Sequence, residues 1–293
     1  MTSAGRFAPS PSGELHVGNL RTAILAWLFA RSTGRRFLMR VEDLDRARAG
    51  AEAQQLRDLA AIGVSWDGGV VRQTDRGPLY AETIARLEAA GRTYPCFCTR
   101  REIQEAPSAP HAPQGAYPGT CRNLSAAERN AKGADRPAAI RLRADVTEAT
   151  VHDVLHGSYA GVVDDFVLRR NDGVTAYNLA VVVDDAAQGI DQVVRGDDLL
   201  PSTPRQAYLS GLLNMPVPEY AHVPLVVNAD GARLAKRDGA VTLTDLAQAG
   251  RPAEEVRDTL LASLGLPSGP LGHALAAFRP AMLPREPWVW PGA

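Results

Sequence analysis

The spacing of apolar residues predicts a chain in which helices and strands alternate. Helical spacing extends over several long segments, and a glycine or proline stands near one end of each. The predicted helices are Leu20–Ser32, Ala51–Ile62, Pro78–Ala90, Pro252–Leu264 and one from Ser202-Thr203-Pro204 to Leu213. Short apolar runs predict buried strands at Arg36–Val41, Ile190–Arg195 and Val223–Val227. Such alternation is typical of a parallel sheet covered by helices, so we expect an α/β fold.

The middle of the chain has a strand-like pattern instead. Apolar and polar residues alternate there as they do in half-buried strands, and Asn171-Asp172-Gly173 is a typical hairpin turn. The strands predicted in this region are Ala138–Arg143, Val151–Leu155, Asp165–Arg170 and Val174–Val183.

The composition is that of an ordinary globular protein, with 293 residues of which 45% are hydrophobic and 22% charged. The formal net charge is −1, so any RNA site has to be a local patch rather than an overall positive field. No charged leader precedes an apolar segment, and no apolar run reaches 18 residues. We therefore expect a soluble, cytoplasmic protein without a membrane partner.

The stretch Arg6–Asn19 contains the first candidate chemistry. Its prolines, glycines and serines exclude a continuous helix, yet it begins with apolar residues and a predicted helix follows it. The pattern predicts a strand, a tight loop and a helix that starts near His16. Backbone N–H groups at a helix N-terminus bind anions, and the guanidinium of Arg6 suits a carboxylate or phosphate. The alternative is a proline-rich connection with a surface histidine.

Three polar side chains lie near the ends of other predicted strands. Glu42 follows a buried strand and suits an ammonium group, and Arg195 ends another and suits a carboxylate. Tyr177 lies early in the strand predicted after the hairpin turn. The alternatives are a solvated acidic loop for Glu42, a core aromatic for Tyr177, and a surface ion pair with Asp197 or Asp198 for Arg195.

The cysteines form a second constellation. Cys96, Cys98 and Cys121 are the three cysteines of the chain, and an odd, clustered set indicates a metal or free thiols rather than disulfides. Three thiolates bind zinc with a fourth donor, and metal chemistry alone favours His111 for that place. The alternative is three reduced cysteines without a metal.

Two segments resemble a known family. The run RFAPSPSGELHVGNLRTA is similar to the first signature of class I aminoacyl-tRNA synthetases of the glutamate type, with the HIGH-like motif at Pro9–Asn19. The segment Arg233-Leu234-Ala235-Lys236-Arg237 resembles the second signature, Lys-Met-Ser-Lys-Ser. Ala235 lacks the hydroxyl of the serine, so we expect slower or weaker use of ATP. The resemblance implies a Rossmann-type domain with a zinc-bearing insertion and a small helical C-terminal part.

The resemblance also implies roles for individual residues. The catalytic pair is His16 and Lys236. The ATP contacts are His16, Gly18, Asn19 and Lys236. The glutamate contacts are Arg6, Phe7, Ala8, Pro9, Ser10, Glu42, Tyr177 and Arg195. The metal ligands are Cys96, Cys98, Tyr117 and Cys121, with Tyr117 in the place that metal chemistry would give to His111.

The resemblance covers nearly the whole chain without an anticodon-binding domain. A short chain with these cysteines most resembles the glutamyl-queuosine tRNA(Asp) synthetase family. This implies that a monomer activates L-glutamate with ATP and Mg²⁺ without tRNA, and transfers it to queuosine in the tRNA(Asp) anticodon stem-loop. The alternatives are a truncated glutamyl-tRNA synthetase that charges a tRNA 3′ end, and a non-catalytic zinc-bearing RNA-binding module.

The resemblance further implies a division of the chain. Residues 1–95 are expected to form the first half of the Rossmann domain, and 96–165 the insertion. Residues 166–215 are expected to form the second half, and 216–293 the second-signature loop and a helical region that contacts the RNA stem.

Overall fold

The computed structural model describes residues 3–105, 116–232, 234 and 241–292. The strands are β1 (Ala4–Phe7), β2 (Arg36–Val41), β3 (Val71–Arg72), β4 (Thr93–Cys96), β5 (Ala139–Leu142), β6 (Glu148–Asp153), β7 (Gly157–Val162), β8 (Val167–Arg169), β9 (Ile190–Gly196), β10 (Glu219–Val223), β11 (Val226–Val227) and β12 (Trp288–Val289). The helices are α1 (Val17–Ser32), α2 (Ala51–Ala61), α3 (Gly77–Ala89), α4 (Arg100–Glu105), α5 (Ala126–Asp135), α6 (Tyr177–Gln188), α7 (Thr203–Leu212), α8 (Leu243–Gln248), α9 (Ala253–Ala262) and α10 (Leu271–Ala277). None of these helices is long and apolar enough to cross a membrane.

A seven-stranded sheet forms the centre, in the order β3-β2-β1-β9-β10-β6-β7. The strands from β3 to β6 are parallel, and β7 returns antiparallel to β6. The chain leaves β1 toward β2 on one side and comes back to β9 on the other side. This makes β1 and β9 a topological switch point, and ligands of open α/β sheets bind beyond the carboxyl ends of the strands there.

Helix α1 lies in the largest hydrophobic core. Its apolar side chains pack with residues of α9, α10 and the C-terminal segment, and nearly all of its residues are buried. At its C-terminal end, Ala30 crosses β1 so closely that a Cβ on Gly5 would lie 2.9 Å from the Ala30 Cβ. Gly34 ends the helix in the left-handed conformation at φ 72°, as predicted. The first strand therefore fixes the position of α1.

Two predicted strands are wrong or divided. The segment Val174–Val183 was expected to be a strand, but from Tyr177 it is helix α6, which ends at Gly189 with φ 68°. Its residues from Leu179 to Asp185 are all buried. A short apolar run buried on every side has no visible period, so its spacing does not separate a strand from a helix.

The predicted strand Val223–Val227 is interrupted at Pro224. Residues up to Val223 belong to β10 in the large sheet, whereas β11 pairs with β12 near the C-terminus. Proline has no N–H to donate to a strand ladder, which explains the break. The helix predicted from Ser202 is present as α7, but the Ser202 side chain makes no cap bond because a 3-10 helix over Asp197–Ser202 leads into it.

A small antiparallel sheet, in the order β4-β5-β8, carries the cysteine region. The β6–β7 hairpin, which lies within the expected insertion 96–165, is instead attached to the large sheet next to β10. The division of the chain into functional parts stays a prediction.

Candidate active site

His16 caps the N-terminus of α1. Its Nδ1 accepts hydrogen bonds from the backbone N–H groups of Gly18 at 3.1 Å and Asn19 at 3.4 Å. The Asn19 side chain in turn accepts from the His16 backbone N–H at 3.3 Å. An imidazole nitrogen that accepts carries no proton, so neutral His16 bears its proton on Nε2. The cap thus gives His16 a donor nitrogen at the end of the helix where anions bind.

Gly18 lies against the ring of His16. A Cβ at this position would lie 2.9 Å from the imidazole Cε1 and 3.3 Å from the Val226 Cβ. Any larger residue would displace the imidazole, which explains the need for glycine here.

Buried ion pairs join β1, β2 and α6. The Arg6 Nε and the Arg40 Nη1 both donate to Oδ1 of Asp185, at 3.3 and 2.8 Å. The Arg40 Nη2 donates to Oε1 of Glu42 at 3.4 Å. Burial raises the pKa of Glu42, whereas the charges of Arg40 and Arg6 act to lower it. Two arginines and two carboxylates hold one another beside the switch point.

The neighbouring Asp184 fixes α6 from its other side. It is fully buried and accepts from the Gln73 amide at 2.8 Å, the Tyr80 hydroxyl at 2.7 Å, and Nε of Arg76. These donors come from the 3-10 helix Gln73–Arg76 and from α3. Helix α6 is therefore held at two adjacent residues, Asp184 and Asp185, by side chains from the first half of the chain.

Arg195 ends β9 and meets Tyr177 at the start of α6. Its Nη1 donates to the Tyr177 hydroxyl at 3.2 Å, its Nη2 to Thr203 Oγ1 at 2.9 Å, and its Nε to His222 Nε2 at 3.0 Å. Arg195 is 5% exposed, whereas Tyr177 is 39% exposed. The tyrosine thus forms an open edge of the site and the arginine its interior.

The structure brings four of the predicted glutamate contacts together. Desolvation raises the pKa of Tyr177, and the charges of Arg195, Glu42 and Arg6 lie close enough to act on its hydroxyl as well. The charges that act on the Tyr177 hydroxyl thus include two guanidinium groups, those of Arg195 and Arg6, and two carboxylates, those of Glu42 and Asp185. This arrangement suits a small molecule that carries both carboxylates and an ammonium group.

The other predicted glutamate contacts are Phe7, the last residue of β1, and the first three residues of the loop after it. Phe7 and Pro9 are buried, Ala8 is partly buried and Ser10 is exposed. The Pro9 carbonyl accepts from the Glu42 backbone N–H at 2.9 Å, which ties the loop to the end of β2. Whether these four residues contact glutamate stays a prediction.

The second signature lies largely outside the described residues. Arg233 and 235–240, which include Lys236, are not described, but the residues on both sides are. Leu234 and Val241 are buried in the same core cluster as Val17. The Val17 N–H donates to the Val241 carbonyl at 2.8 Å, and Thr242 pairs with His16 in an isolated bridge. The described chain therefore resumes at Val241 beside the start of α1.

The three cysteines lie together in the small sheet. Their sulfurs are within 4.8 Å of one another, and Cys98 Sγ is 3.5 Å from Cys121 Sγ. The Tyr117 oxygen lies 3.3 Å from Cys96 Sγ and 3.7 Å from Cys98 Sγ. Three thiols and a phenol oxygen at this spacing fit a four-coordinate metal. His111 lies outside the described residues.

Several site residues were missed in the sequence. Arg40, Asp153, Asp185 and His222 are all buried and bonded to predicted contacts or to one another. Arg40 and His222 each lie between two buried apolar residues of a strand. That isolation is a usable signal, because a buried polar group requires a partner.

Comparison with known proteins places this geometry in a family. The model of the class I tRNA synthetases (E and Q), catalytic domain, matches residues 4–268. The Glutamyl-Q tRNA(Asp) synthetase of Nocardia farcinica is 68% identical over 289 residues, covering 98% of this chain and 92% of that protein. The protein of the same name from Cutibacterium acnes is 53% identical over 278 residues, covering 93% and 79%.

A solved structure agrees with these relatives. The crystal structure of a glutamate tRNA ligase from Elizabethkingia meningosepticum in complex with its amino acid matches with a TM-score of 0.79 and 26% identity. The match covers 97% of this chain and 66% of that one. The resemblance stated from the two signatures is confirmed. The chain belongs to the class I tRNA synthetases of the glutamate and glutamine type, and within them to the glutamyl-Q tRNA(Asp) synthetase family.

Proposed function

We propose that this enzyme activates L-glutamate with ATP in the absence of tRNA and then transfers the glutamyl group to queuosine in the anticodon of tRNA(Asp). The single observation that carries the first step is the convergence of Arg6, Glu42 and Arg195, near the carboxyl ends of β1, β2 and β9, on Tyr177 at the start of α6. The second step rests on the names of the relatives.

In activation, the α-carboxylate of glutamate attacks the α-phosphorus of ATP. The bond to the leaving oxygen breaks, pyrophosphate departs and glutamyl-adenylate remains. Arg6 and Arg195 hold the two carboxylates of glutamate, Glu42 accepts from its ammonium group, and Tyr177 borders the pocket. Magnesium on the phosphates of ATP supplies charge neutralisation.

Charge accumulates on the phosphate oxygens in this step, so donors directed at them lower the barrier. The Nε2 proton of His16 and the ammonium of Lys236 have this role. One such donor is worth about 2.7–4 kcal/mol of barrier. The backbone N–H groups of Gly18 and Asn19 donate to Nδ1 of His16, so these two residues hold the imidazole at the same helix end.

In transfer, a hydroxyl of the queuosine cyclopentenediol attacks the carbonyl of the mixed anhydride. AMP leaves, the proton of the attacking hydroxyl passes to the departing phosphate, and an ester to the RNA remains. We propose that the enzyme acts as a monomer. Its net charge of −1 gives no overall positive field, so the RNA binds through a local surface.

We propose further that Zn²⁺ is held by Cys96, Cys98, Tyr117 and Cys121. The ion would cross-link the small sheet to the segment after residue 116. It takes no part in the chemical steps, and its role is structural.

The proposed function is tested in two stages. Glutamate-dependent exchange between ATP and pyrophosphate is measured without RNA, and we expect exchange with glutamate only. Transfer of labelled glutamate is then measured on four forms of tRNA(Asp), with or without queuosine and with or without the 3′-terminal adenosine. We expect transfer to both queuosine-containing forms, because the removed adenosine carries no acceptor for this reaction.

A second candidate function gives a different result in the same experiment. A glutamyl-tRNA synthetase that charges the 3′ end would lose transfer when the terminal adenosine is removed, whether or not queuosine is present. The similarity to a solved glutamate tRNA ligase favours this candidate as the alternative. Absence of exchange would contradict both enzymes and leave a non-catalytic RNA-binding module.

A further inference from the structure

Two buried side chains, His222 and Asp153, form a hydrogen-bonded chain that ends at Arg195. His222 and Asp153 are 0% and 1% exposed. His222 Nδ1 lies 2.6 Å from Asp153 Oδ2, and its Nε2 lies 3.0 Å from the Arg195 Nε. The proposed reaction does not use either residue directly, and neither was a candidate in the sequence.

The contacts fix which imidazole nitrogen carries the proton. Asp153 accepts from the backbone N–H groups of Leu155 at 2.9 Å, His156 at 3.0 Å and His222 at 3.0 Å. A carboxylate only accepts, so the Nδ1 of His222 has to donate to it. Arg195 only donates, so Nε2 has to be the bare, accepting nitrogen. His222 is therefore a neutral imidazole protonated at Nδ1.

The charge of Arg195 is left without an anionic partner among the described residues. Its three hydrogen bonds go to a neutral imidazole, a hydroxyl and a phenol. Arg6 and Arg40 differ, because both pair with Asp185. A guanidinium has five N–H donors, so one remains on each terminal nitrogen of Arg195. Two N–H groups on neighbouring nitrogens match a carboxylate that binds with both oxygens.

We propose that Asp153 and His222 are positioning residues, which fix the guanidinium of Arg195 by accepting its Nε–H and leave its full charge to a carboxylate of the substrate. A carboxylate in the place of His222 would fix the arginine equally well but would neutralise it. The identity of the ligand as glutamate rests on the proposed function. The orientation of Arg195 by a neutral acceptor rests on the described contacts alone.

The test uses the substitutions Asp153→Asn and His222→Asn in the full-length protein. An amide at 153 donates to Nδ1 and moves the imidazole proton to Nε2, where it opposes the Arg195 Nε–H. Asparagine at 222 keeps a donor for Asp153 but lacks an acceptor for Arg195. For both variants we expect the KM for glutamate in exchange to rise about tenfold to a hundredfold. We expect the KM for ATP and kcat at saturating glutamate to change by less than about threefold.

The control is His156→Gln, which changes a side chain next to Asp153 and His222. His156 contacts His222 only through a hydrogen bond of its Nε2 to the backbone carbonyl, at 3.0 Å. We expect its KM for glutamate to equal that of the wild type. An unchanged KM in folded Asp153→Asn and His222→Asn proteins would overturn the proposal, as would an equal rise in the control.

A measurement on the wild type requires no variant to fold. Long-range ¹H–¹⁵N spectra of the imidazole rings distinguish a bare nitrogen from a protonated one. We expect His222 to show a protonated Nδ1 and a bare Nε2, and a protonated Nε2 would overturn the proposal. Direct titration of glutamate without ATP measures binding separately. Glutamate that binds without exchange therefore contradicts the proposed function but not this inference.

Discussion

At the scale of single residues, His16 and His222 differ in which ring nitrogen accepts a hydrogen bond. The backbone N–H groups of α1 occupy Nδ1 of His16, and Arg195 occupies Nε2 of His222. His16 therefore carries its proton on Nε2, and His222 carries its proton on Nδ1. The Nε2 of His16 is a hydrogen-bond donor, whereas the Nε2 of His222 is an acceptor. For His222 the sequence does not reveal this, because its partners Arg195 and Asp153 lie 27 and 69 residues away, whereas the partners of His16 are the nearby Gly18 and Asn19.

The double role of His16 predicts that two substitutions differ in stability but not in activity. Asparagine is a good N-cap and alanine is not, whereas both lack the Nε2 donor. We expect His16→Asn and His16→Ala each to reduce glutamate-dependent exchange about a hundredfold or more. We expect only His16→Ala to lower the free energy of unfolding, by about 1 kcal/mol. Exchange rates and urea unfolding check this, and exchange near the wild-type rate in either variant would contradict the assigned role.

Burial lowers the pKa of His222 below its ordinary value of 6.5, and Arg195 acts in the same direction. Asp153 opposes this shift by accepting from the ring, while His156 adds to it. Below about pH 6.5 the unfolded chain therefore binds a proton that the folded protein does not.

The lowered pKa of His222 predicts that the contribution of this residue to the free energy of unfolding decreases as the pH falls below about 6.5. The difference in unfolding free energy between wild type and His222→Asn isolates the contribution from other titrating groups. We expect the difference to become smaller from pH 7 toward pH 5. A difference that grows on acidification would show that the folded state favours the protonated ring.

At the scale of elements, the sequence predicted most of the framework of the site. Helix α1, strand β2 and strand β9 follow from periodicity and from their glycine or polar ends, and they carry His16, Glu42 and Arg195. Helix α6 could not be predicted this way, since Leu179 to Val183 are buried on all sides. Its cap, Gly189, was the available signal. The partners of Arg195 were also beyond sequence reasoning, because the fold brings β6, β9 and β10 together.

We expect the stability of the small sheet β4-β5-β8 to depend on a bound metal. We expect about one Zn²⁺ per chain in purified protein, and loss of the ion with a lower Tm in Cys98→Ser. In Tyr117→Phe the ring stays under the Arg141 guanidinium, which lies 3.6 Å from its centre, but the oxygen is lost. We expect weaker zinc binding in this variant and also a lower Tm, because the buried Cys121 backbone N–H loses its acceptor, the Tyr117 oxygen at 2.8 Å. Metal analysis and thermal unfolding measure both effects, and a metal content near zero in the wild type would contradict the site.

At the scale of the whole molecule, the proposed ATP site is assembled from the two ends of the chain. The core cluster that holds α1 also holds α9, α10 and the residues on both sides of the second signature. Sequence motifs identified both segments, and their anchoring side by side is consistent with a common pocket. The position of Lys236 itself stays a prediction.

The chain provides a matched control for Lys236, because its lysines stand only at positions 132 and 236. We expect Lys236→Ala to reduce glutamate-dependent exchange about a hundredfold or more, since it removes a cation from the phosphates. Lys132 is exposed on α5, and we expect Lys132→Ala to leave exchange unchanged. Equal rates in the two variants would remove Lys236 from the catalytic pair.

Helix α6 carries Tyr177 in its first turn and Asp185 eight residues later, about 12 Å along the axis. Arg195 donates to the first and Arg6 to the second, and the two arginines stand on the adjacent strands β9 and β1. The relative position of the two guanidinium groups is therefore set by the fold and not by the ligand. Under the proposed binding of one carboxylate by Arg6 and the other by Arg195, aspartate, which is one methylene shorter, would reach only one of the two arginines.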